Sequence, residues 1–269
     1  MKYSCPICTE NLALSTNTKQ VFCTNNHQFD RAKQGYFNLL PVQRKNSKEP
    51  GDSKEMITAR QDFLNANHYL PLAKEINSLL SEMLDANSTL LDLGCGEGYY
   101  SRQLLATIPT LELYGIDISK AAIIKAAAQD KIGNYSVASS DNIPLQQNSV
   151  NCIVKIYAPA NEAELRRVLT NDGLLLTVTP APRHLWQLRE FIYDDVREHD
   201  TQDTTFEGFR MTSSNRFSYQ ICPSNIHRMA LLQMTPFAWK ANQAQTKAIS
   251  EADGLDIELD FIINLYQPT

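Results

Sequence analysis

Leu90-Leu91-Asp92-Leu93-Gly94-Cys95-Gly96-Glu97-Gly98-Tyr99-Tyr100 is the stretch that decides the fold. A short apolar run, read as a buried strand, passes into three alternating glycines and then into a helical pattern. Glycine lets the main chain turn sharply and lie close to a ligand with no Cβ between them. A plain tight turn is the other reading of the three. The spacing is Gly-x-Gly-x-Gly, whereas a dinucleotide site needs Gly-x-Gly-x-x-Gly/Ala, and Tyr99 stands where its last glycine belongs. A pyrophosphate is poorly served.

Downstream of residue 89, short apolar runs alternate with helical patterns. The periodicity predicts strands at 89–93, 112–117, 134–138, 150–156 and 173–179, with helices at 98–107, 119–130, 161–169 and 184–197. Residues 200–215 read as irregular. A strand at 216–221, a helix at 224–233 and a strand at 256–265 follow. This order is α/β, a doubly wound parallel sheet with its ligand at the strand carboxyl ends. Asp117 ends the second strand, where a carboxylate can accept both hydroxyls of a ribose. Asp92 is placed to orient a ligand's ammonium or to hold the glycine loop. An amino-acid-bearing nucleoside such as S-adenosylmethionine (SAM) suits this pattern, with Gly94, Gly96 and Gly98 as its cradle.

Upstream, Cys5-x2-Cys8 and Cys23-x3-His27 supply four ligands in two chelating pairs, suited to tetrahedral structural Zn²⁺. Residues 1–40 hold too few large apolar side chains for a core, and zinc would supply the missing folding energy. A reducible dithiol at Cys5/Cys8 is the alternative. Cys95, Cys152 and Cys222 read as buried small hydrophobes. Residues 41–88 are a linker and lead-in helices. Asp52-Ser53-Lys54-Glu55 has capping-box spacing, and a second helix starts near Pro71. Residues 89–269 form the main domain.

The net charge of −5 hides an asymmetry. Residues 1–48 carry seven Lys/Arg against two acids, and the rest is acidic. Arg31, Lys33, Arg44, Lys45 and Lys48 are candidates for RNA phosphates. Tyr36 and Phe37 are read first as packing the module on the main domain, and second as stacking on bases. No run of about 18 apolar residues and no signal-peptide pattern is present, which points to a cytoplasmic protein with no membrane partner.

The strand–DLGCGEG–helix unit resembles motif I of class I SAM-dependent methyltransferases. Arg166 to Gly173 resembles that family's turn before strand five, and Ala138 to Leu145 its DAxxLPF segment, with Ser139 where an acid usually meets the adenine. The blocks CPIC (5–8), NNHQFDRAKQGYFNLLPVQ (25–43), EPGDSKEM (49–56), LDLGCGEGYY (91–100), KIYAP (155–159), PAPRHL (180–185) and LLQMTPFAW (231–239) together resemble the bacterial 23S rRNA guanine-N1-methyltransferases. Those enzymes modify a hairpin lining the peptide tunnel. The resemblance implies a Rossmann-like, mostly parallel seven-stranded sheet, SAM and structural zinc as cofactors, rRNA as partner, and a homodimer. It matches Tyr69, Gly96, Glu97, Asp117 and His184 to SAM contacts.

The catalytic group is not named by the sequence. Tyr157, after strand four, can stack on a base beside Pro159, or be an ordinary strand-end residue. His184 can contact SAM, relay a proton or cap a helix. Glu162 and Asp141 are weaker bases. A small-molecule methyltransferase carrying a structural zinc ribbon is the second functional reading. A nicotinamide oxidoreductase is disfavoured by the glycine spacing, and an RNA-binding protein without catalysis is the fourth.

Overall fold

A computed structural model describes residues 1–44, 51–199 and 205–269. Three short antiparallel strands, β1 (Ala13–Leu14), β2 (Gln20–Phe22) and β3 (Gln28–Asp30), form a small sheet around the cysteine pairs. The next strand, β4 (Phe37–Asn38), does not belong to it.

The main domain alternates as its periodicity dictates. Its elements are α1 (Lys54–Asn65), α2 (Leu70–Met83), β5 (Thr89–Leu93), α3 (Tyr99–Thr107), β6 (Glu112–Asp117), α4 (Lys120–Gln129), β7 (Asn134–Val137), β8 (Val150–Ile156), α5 (Glu162–Val168) and β9 (Leu169–Pro180). The chain closes with α6 (Trp186–Glu190), β10 (Phe209–Ile221), α7 (Asn225–Gln233), α8 (Gln243–Glu251) and β11 (Ile257–Pro268). Sheet order is β10-β11-β9-β8-β5-β6-β7-β4, parallel from β9 to β4 and antiparallel at β11 and β10. Strand order reverses between β5 and β8, so a crevice opens outside their carboxyl ends.

The sheet has eight strands where the resemblance implies seven, because β4 from the amino-terminal segment pairs parallel with β7. Tyr36 and Phe37 are therefore 4% and 2% exposed and cannot stack on RNA as this structure stands. Residues 209–215, read as irregular, form the first half of β10. They lie on the sheet's outer edge and carry Thr212-Ser213-Ser214-Asn215 in place of apolar alternation. A bulge between Met211 and Ser213 interrupts that edge. Strand β9 starts four residues early and runs through Gly173. The helix expected over 184–197 shrinks to Trp186–Glu190, and Cys222, expected in the core with Cys95 and Cys152, is exposed in the turn between β10 and α7. Ser53, not Asp52, caps α1, accepting from the Met56 amide at 3.2 Å, while Asp52 pairs with Arg60.

The zinc-ligand segment and one face of the sheet share a core. Tyr3, fully buried, meets Tyr114 edge-on at 5.1 Å and Phe37 at 6.0 Å, amid Leu12, Val21, Leu39, Leu91 and Ile116. The Lys2 amide donates to Tyr114 Oη at 2.7 Å, and that hydroxyl donates to Glu112 at 2.6 Å. Each such aromatic ring contributes about 1.5–3 kcal/mol by leaving water. Tyr3→Ala is expected to cost about 3–5 kcal/mol, seen as a lower urea midpoint. A loss under 1 kcal/mol would show that the two parts do not stabilise each other.

Candidate active site and metal centre

Gly94, Gly96 and Gly98 all adopt left-handed backbone, with φ of 74°, 57° and 81°. At each, a side chain would be strained, and two of the three are also tight. A Cβ on Gly94 would lie 2.5 Å from Cβ of Ala158, just beyond β8, and one on Gly98 would lie 3.0 Å from Cβ of Ala126 on α4. The loop is thus pressed between the strand ends and α4. Gly96 faces open space, and its amide donates to Asp117 Oδ2 at 2.9 Å while the Ser119 amide donates to Oδ1 at 2.7 Å. Two amides fix the Asp117 carboxylate, which is only partly buried and keeps lone pairs for a ligand.

Asp92 is 2% exposed and accepts from Ser101 Oγ at 2.5 Å, which ties β5 to the first turn of α3. Burial raises its pKa to about 6, with the nearby Asp117 charge adding to the shift. Glu97 is buried, and its carboxylate is taken by Arg102 at 3.0 Å and Gln129 at 3.3 Å. Its main chain is what it offers a ligand. Ser139 sits at the end of β7 and donates to Asp141 at 3.4 Å, so an acid does stand beside the expected adenine position.

The opposite wall is aromatic. Tyr69, in the residue before α2, meets Phe261 edge-on at 5.5 Å, and Tyr219 and Tyr157 meet the same ring at 6.1 and 6.4 Å. The buried Tyr100 hydroxyl has no partner among the described residues, an orphaned donor that follows the glycine loop. None of Tyr100, Tyr219 or Phe261 was flagged by the sequence; Tyr100 alone carried a signal, directly after the glycines.

Tyr157 and Leu185 close the carboxyl ends of β8 and β9, each with left-handed φ, 55° and 57°. Strain of this kind costs about 1–3 kcal/mol per residue and persists only where the surroundings enforce it. Here Lys155 Nζ donates to the Ala158 carbonyl at 2.7 Å and shapes the turn. His184, 6% exposed, meets Phe261 at a tilt of 57° with ring centroids 4.9 Å apart, and lies 3.5 Å from Tyr157 Oη through Nε2. The Asp260 amide donates to its Nδ1 at 3.2 Å. Burial, and then the neighbouring His199, depress its pKa to about 3. The ring is neutral with its proton on Nε2, so toward the crevice it is a donor and not a base. Glu162 is occupied by the Glu207 amide.

At the other cluster, the ligating atoms of Cys5, Cys8, Cys23 and His27 lie within 4.8 Å of one another. Cys8 Sγ is 3.7 Å from Cys23 Sγ, and His27 Nδ1 is 3.5 and 3.4 Å from Cys5 and Cys23 Sγ. A tetrahedron with Zn–S of about 2.3 Å and Zn–N of about 2.0 Å has edges of about 3.8 and 3.5 Å. The four side chains fit zinc.

Residues 3–48 match the family model described as "RlmA, N-terminal", a zinc ribbon, and residues 84–225 match "Methyltransferase domain". YxjB of Bacillus subtilis (strain 168), provisionally named a 23S rRNA (guanine-N(1)-)-methyltransferase, is 30% identical over 96% of this chain and 94% of its own. The chain belongs to the 23S rRNA (guanine-N1)-methyltransferase family. A further relative, the 23S rRNA (guanine(748)-N(1))-methyltransferase of Streptomyces fradiae, is 34% identical over 68% of this chain and 65% of its own.

Members of this family are SAM-dependent enzymes, and the open space above Gly96, the fixed Asp117 carboxylate and the orphaned Tyr100 hydroxyl fit that cofactor. The zinc is structural, since four protein ligands leave no position for water. Among the described residues no helix is long and apolar enough to cross a membrane.

Two outcomes are expected. Folding opposes ionisation of Asp92, so its contribution falls as pH rises from near 4 through about 6. Asp92→Asn should therefore gain about 2–3 kcal/mol on wild type between pH 4 and 7, and denaturation at several pH values reads it. A constant difference would refute the assignment. Metal analysis should find one zinc per wild-type chain and less in Cys23→Ser, whose thermal midpoint should also fall, since about 10 kcal/mol of binding energy is at stake in such sites.

Proposed function

We propose that this enzyme transfers the methyl group of SAM to N1 of a guanine in 23S rRNA, in a hairpin lining the peptide exit tunnel. The names of the relatives support the chemistry, and the structure supplies a crevice suited to it. The observation that carries the reading is the joining of a Cys₃His zinc ribbon and a methyltransferase crevice through a shared core.

SAM, when bound, supplies an electrophilic sulfonium methyl. The main chain at Gly94, Gly96 and Gly98 would lie against it, Asp117 would accept its ribose hydroxyls, and Ser139 with Asp141 would face its adenine. Tyr69, Tyr100 and Tyr219 would enclose its amino-acid end and exclude water. N1 lies on the pairing edge of guanine, so the target base must be unpaired or flipped out to reach Tyr157. The Ile156-Tyr157-Ala158-Pro159 turn lacks the Asn-Pro-Pro-Tyr/Phe pattern of amino-group methyltransferases, in keeping with a ring nitrogen as acceptor.

Arg31 and Lys33 are exposed and would contact phosphates. They precede β4, which runs parallel to β7, and so lie at the amino edge of the sheet, where Lys131 reaches the Gln34 carbonyl at 3.2 Å. Lys45, Lys48 and the side chain of Arg44 lie outside the described residues. Homodimer assembly and action in the cytoplasm belong to the same proposal.

Incubation of the enzyme with labelled SAM and bare 23S rRNA, followed by mass mapping of guanines, tests the reading. Label in N1-methylguanine supports it; label only in small metabolites favours the small-molecule alternative. Asp117→Ala is expected to weaken SAM binding about 10–100-fold, in line with hydrogen bonds to a charged group. Arg31→Glu with Lys33→Glu should flatten the salt dependence of RNA affinity by a slope of about 1.5, with SAM affinity unchanged.

A further inference from the structure

The proton on His184 is placed by the fold. Asp260 sits in β11 with its carboxylate held by Arg216 at 2.7 and 2.8 Å and by the Arg183 amide at 3.0 Å. Its own backbone N–H points at His184 Nδ1. That amide can only donate, so Nδ1 accepts and Nε2 carries the hydrogen. Nε2 faces Tyr157 Oη, which accepts from it and keeps its own O–H for something beyond. Tyr157 is 44% exposed at the crevice mouth, held in left-handed backbone, and one residue from the Ala158 that touches the cofactor loop. A strained, solvent-reaching tyrosine with an ordered donor behind it presents one hydrogen to an incoming acceptor. The 3.5 Å separation is long for such a bond, as is common before a substrate tightens a site.

We propose that Tyr157 Oη–H, oriented by His184 Nε2–H, donates to O6 of the target guanine, selects guanine over adenine, and stabilises the charge that gathers on O6 as N1 loses its proton. This rests on the guanine-N1 reading and deepens it. The N1 proton leaves to water at the open mouth, and the N1 electron pair forms the new N–CH₃ bond. The S–CH₃ bond breaks with its pair kept on sulfur, so the sulfonium charge is discharged as one proton is released. While N1 is deprotonated and not yet methylated, negative charge is shared with O6, where a fixed donor acts most strongly. Adenine offers an amino group at that position, donor against donor. Tyr157 is the catalytic residue here; His184 and Asp260 are positioning residues. Tyr157 then meets the edge of the base, which replaces the stacking contact considered from the sequence.

Tyr157→Phe should lower kcat on a 23S rRNA fragment about 10²–10³-fold, the usual effect of removing one such donor. KM for RNA and calorimetric affinity for S-adenosylhomocysteine should stay within about threefold, which also shows that the variant folds. Its rate should keep rising with pH beyond the point where wild type levels off, because hydroxide replaces the missing assistance. On the same fragment carrying 6-thioguanine at the target, whose sulfur accepts hydrogen bonds poorly, the loss should shrink below about tenfold. His184→Gln, which retains a donor, should keep more activity than His184→Ala. A Tyr157→Phe enzyme within threefold of wild type on guanine, or one equally impaired on both RNAs with an unchanged pH profile, overturns the proposal while leaving guanine-N1 methylation standing. Wild-type enzyme that labels no RNA overturns both.

Discussion

The close approach of Gly94 to Ala158 sets the distance between the two halves of the active site. Any side chain at 94 would drive β8 away from β5, and with it the turn that aims Tyr157. The loop is held from its other side by the Asp117 carboxylate, gripped by the amides of Gly96 and Ser119. The glycine loop and the turn after β8 are therefore not independent features of the sheet edge. They are two surfaces of one packed contact, which is the kind of preorganisation that group transfer requires.

The second dependency is between metal and sheet. The small sheet has little apolar material of its own, and Tyr3, Phe37 and Leu39 on either side of it in sequence join its Val21 in the core beneath Tyr114 and Ile116. Strand β4 extends the main sheet beyond β7, whose carboxyl end carries Ser139. Two amino-terminal residues thus brace the strand that leads into Ser139 at the sheet's carboxyl edge.

Much of this was legible in the sequence where one local signal and one burial pattern agreed. Strands β5, β6 and β8 have mostly apolar centres buried on both faces, and Gly94, Gly96, Gly98 and Asp117 fall at fixed points relative to them. The cysteine pairs carried their meaning in spacing alone. The failures share a physical cause. Half of β10 was missed because an exposed outer strand needs no apolar alternation. Helix α8 was missed because it buries only Ile249, although Asn242 and Gln245 spelled out a capping box that could have revealed it. The pairing of β4 with β7, the aromatic wall of Tyr100, Tyr219 and Phe261, and the tautomer of His184 all arise from contacts between distant segments. No window of sequence contains them.

The outer strand has a further consequence. Alternate residues of the thirteen-residue β10 turn main-chain donors and acceptors away from β11, toward a side that no strand covers among the described residues, which is the geometry that recruits foreign strands and seeds fibres. Arg210 places charge on that strand, the Met211/Ser213 irregularity interrupts its register, and the hydroxyls and amide of residues 212–215 deny it a sticky face. Apolar replacements at 213–215 would leave the crevice intact and still endanger the molecule through self-association at high concentration.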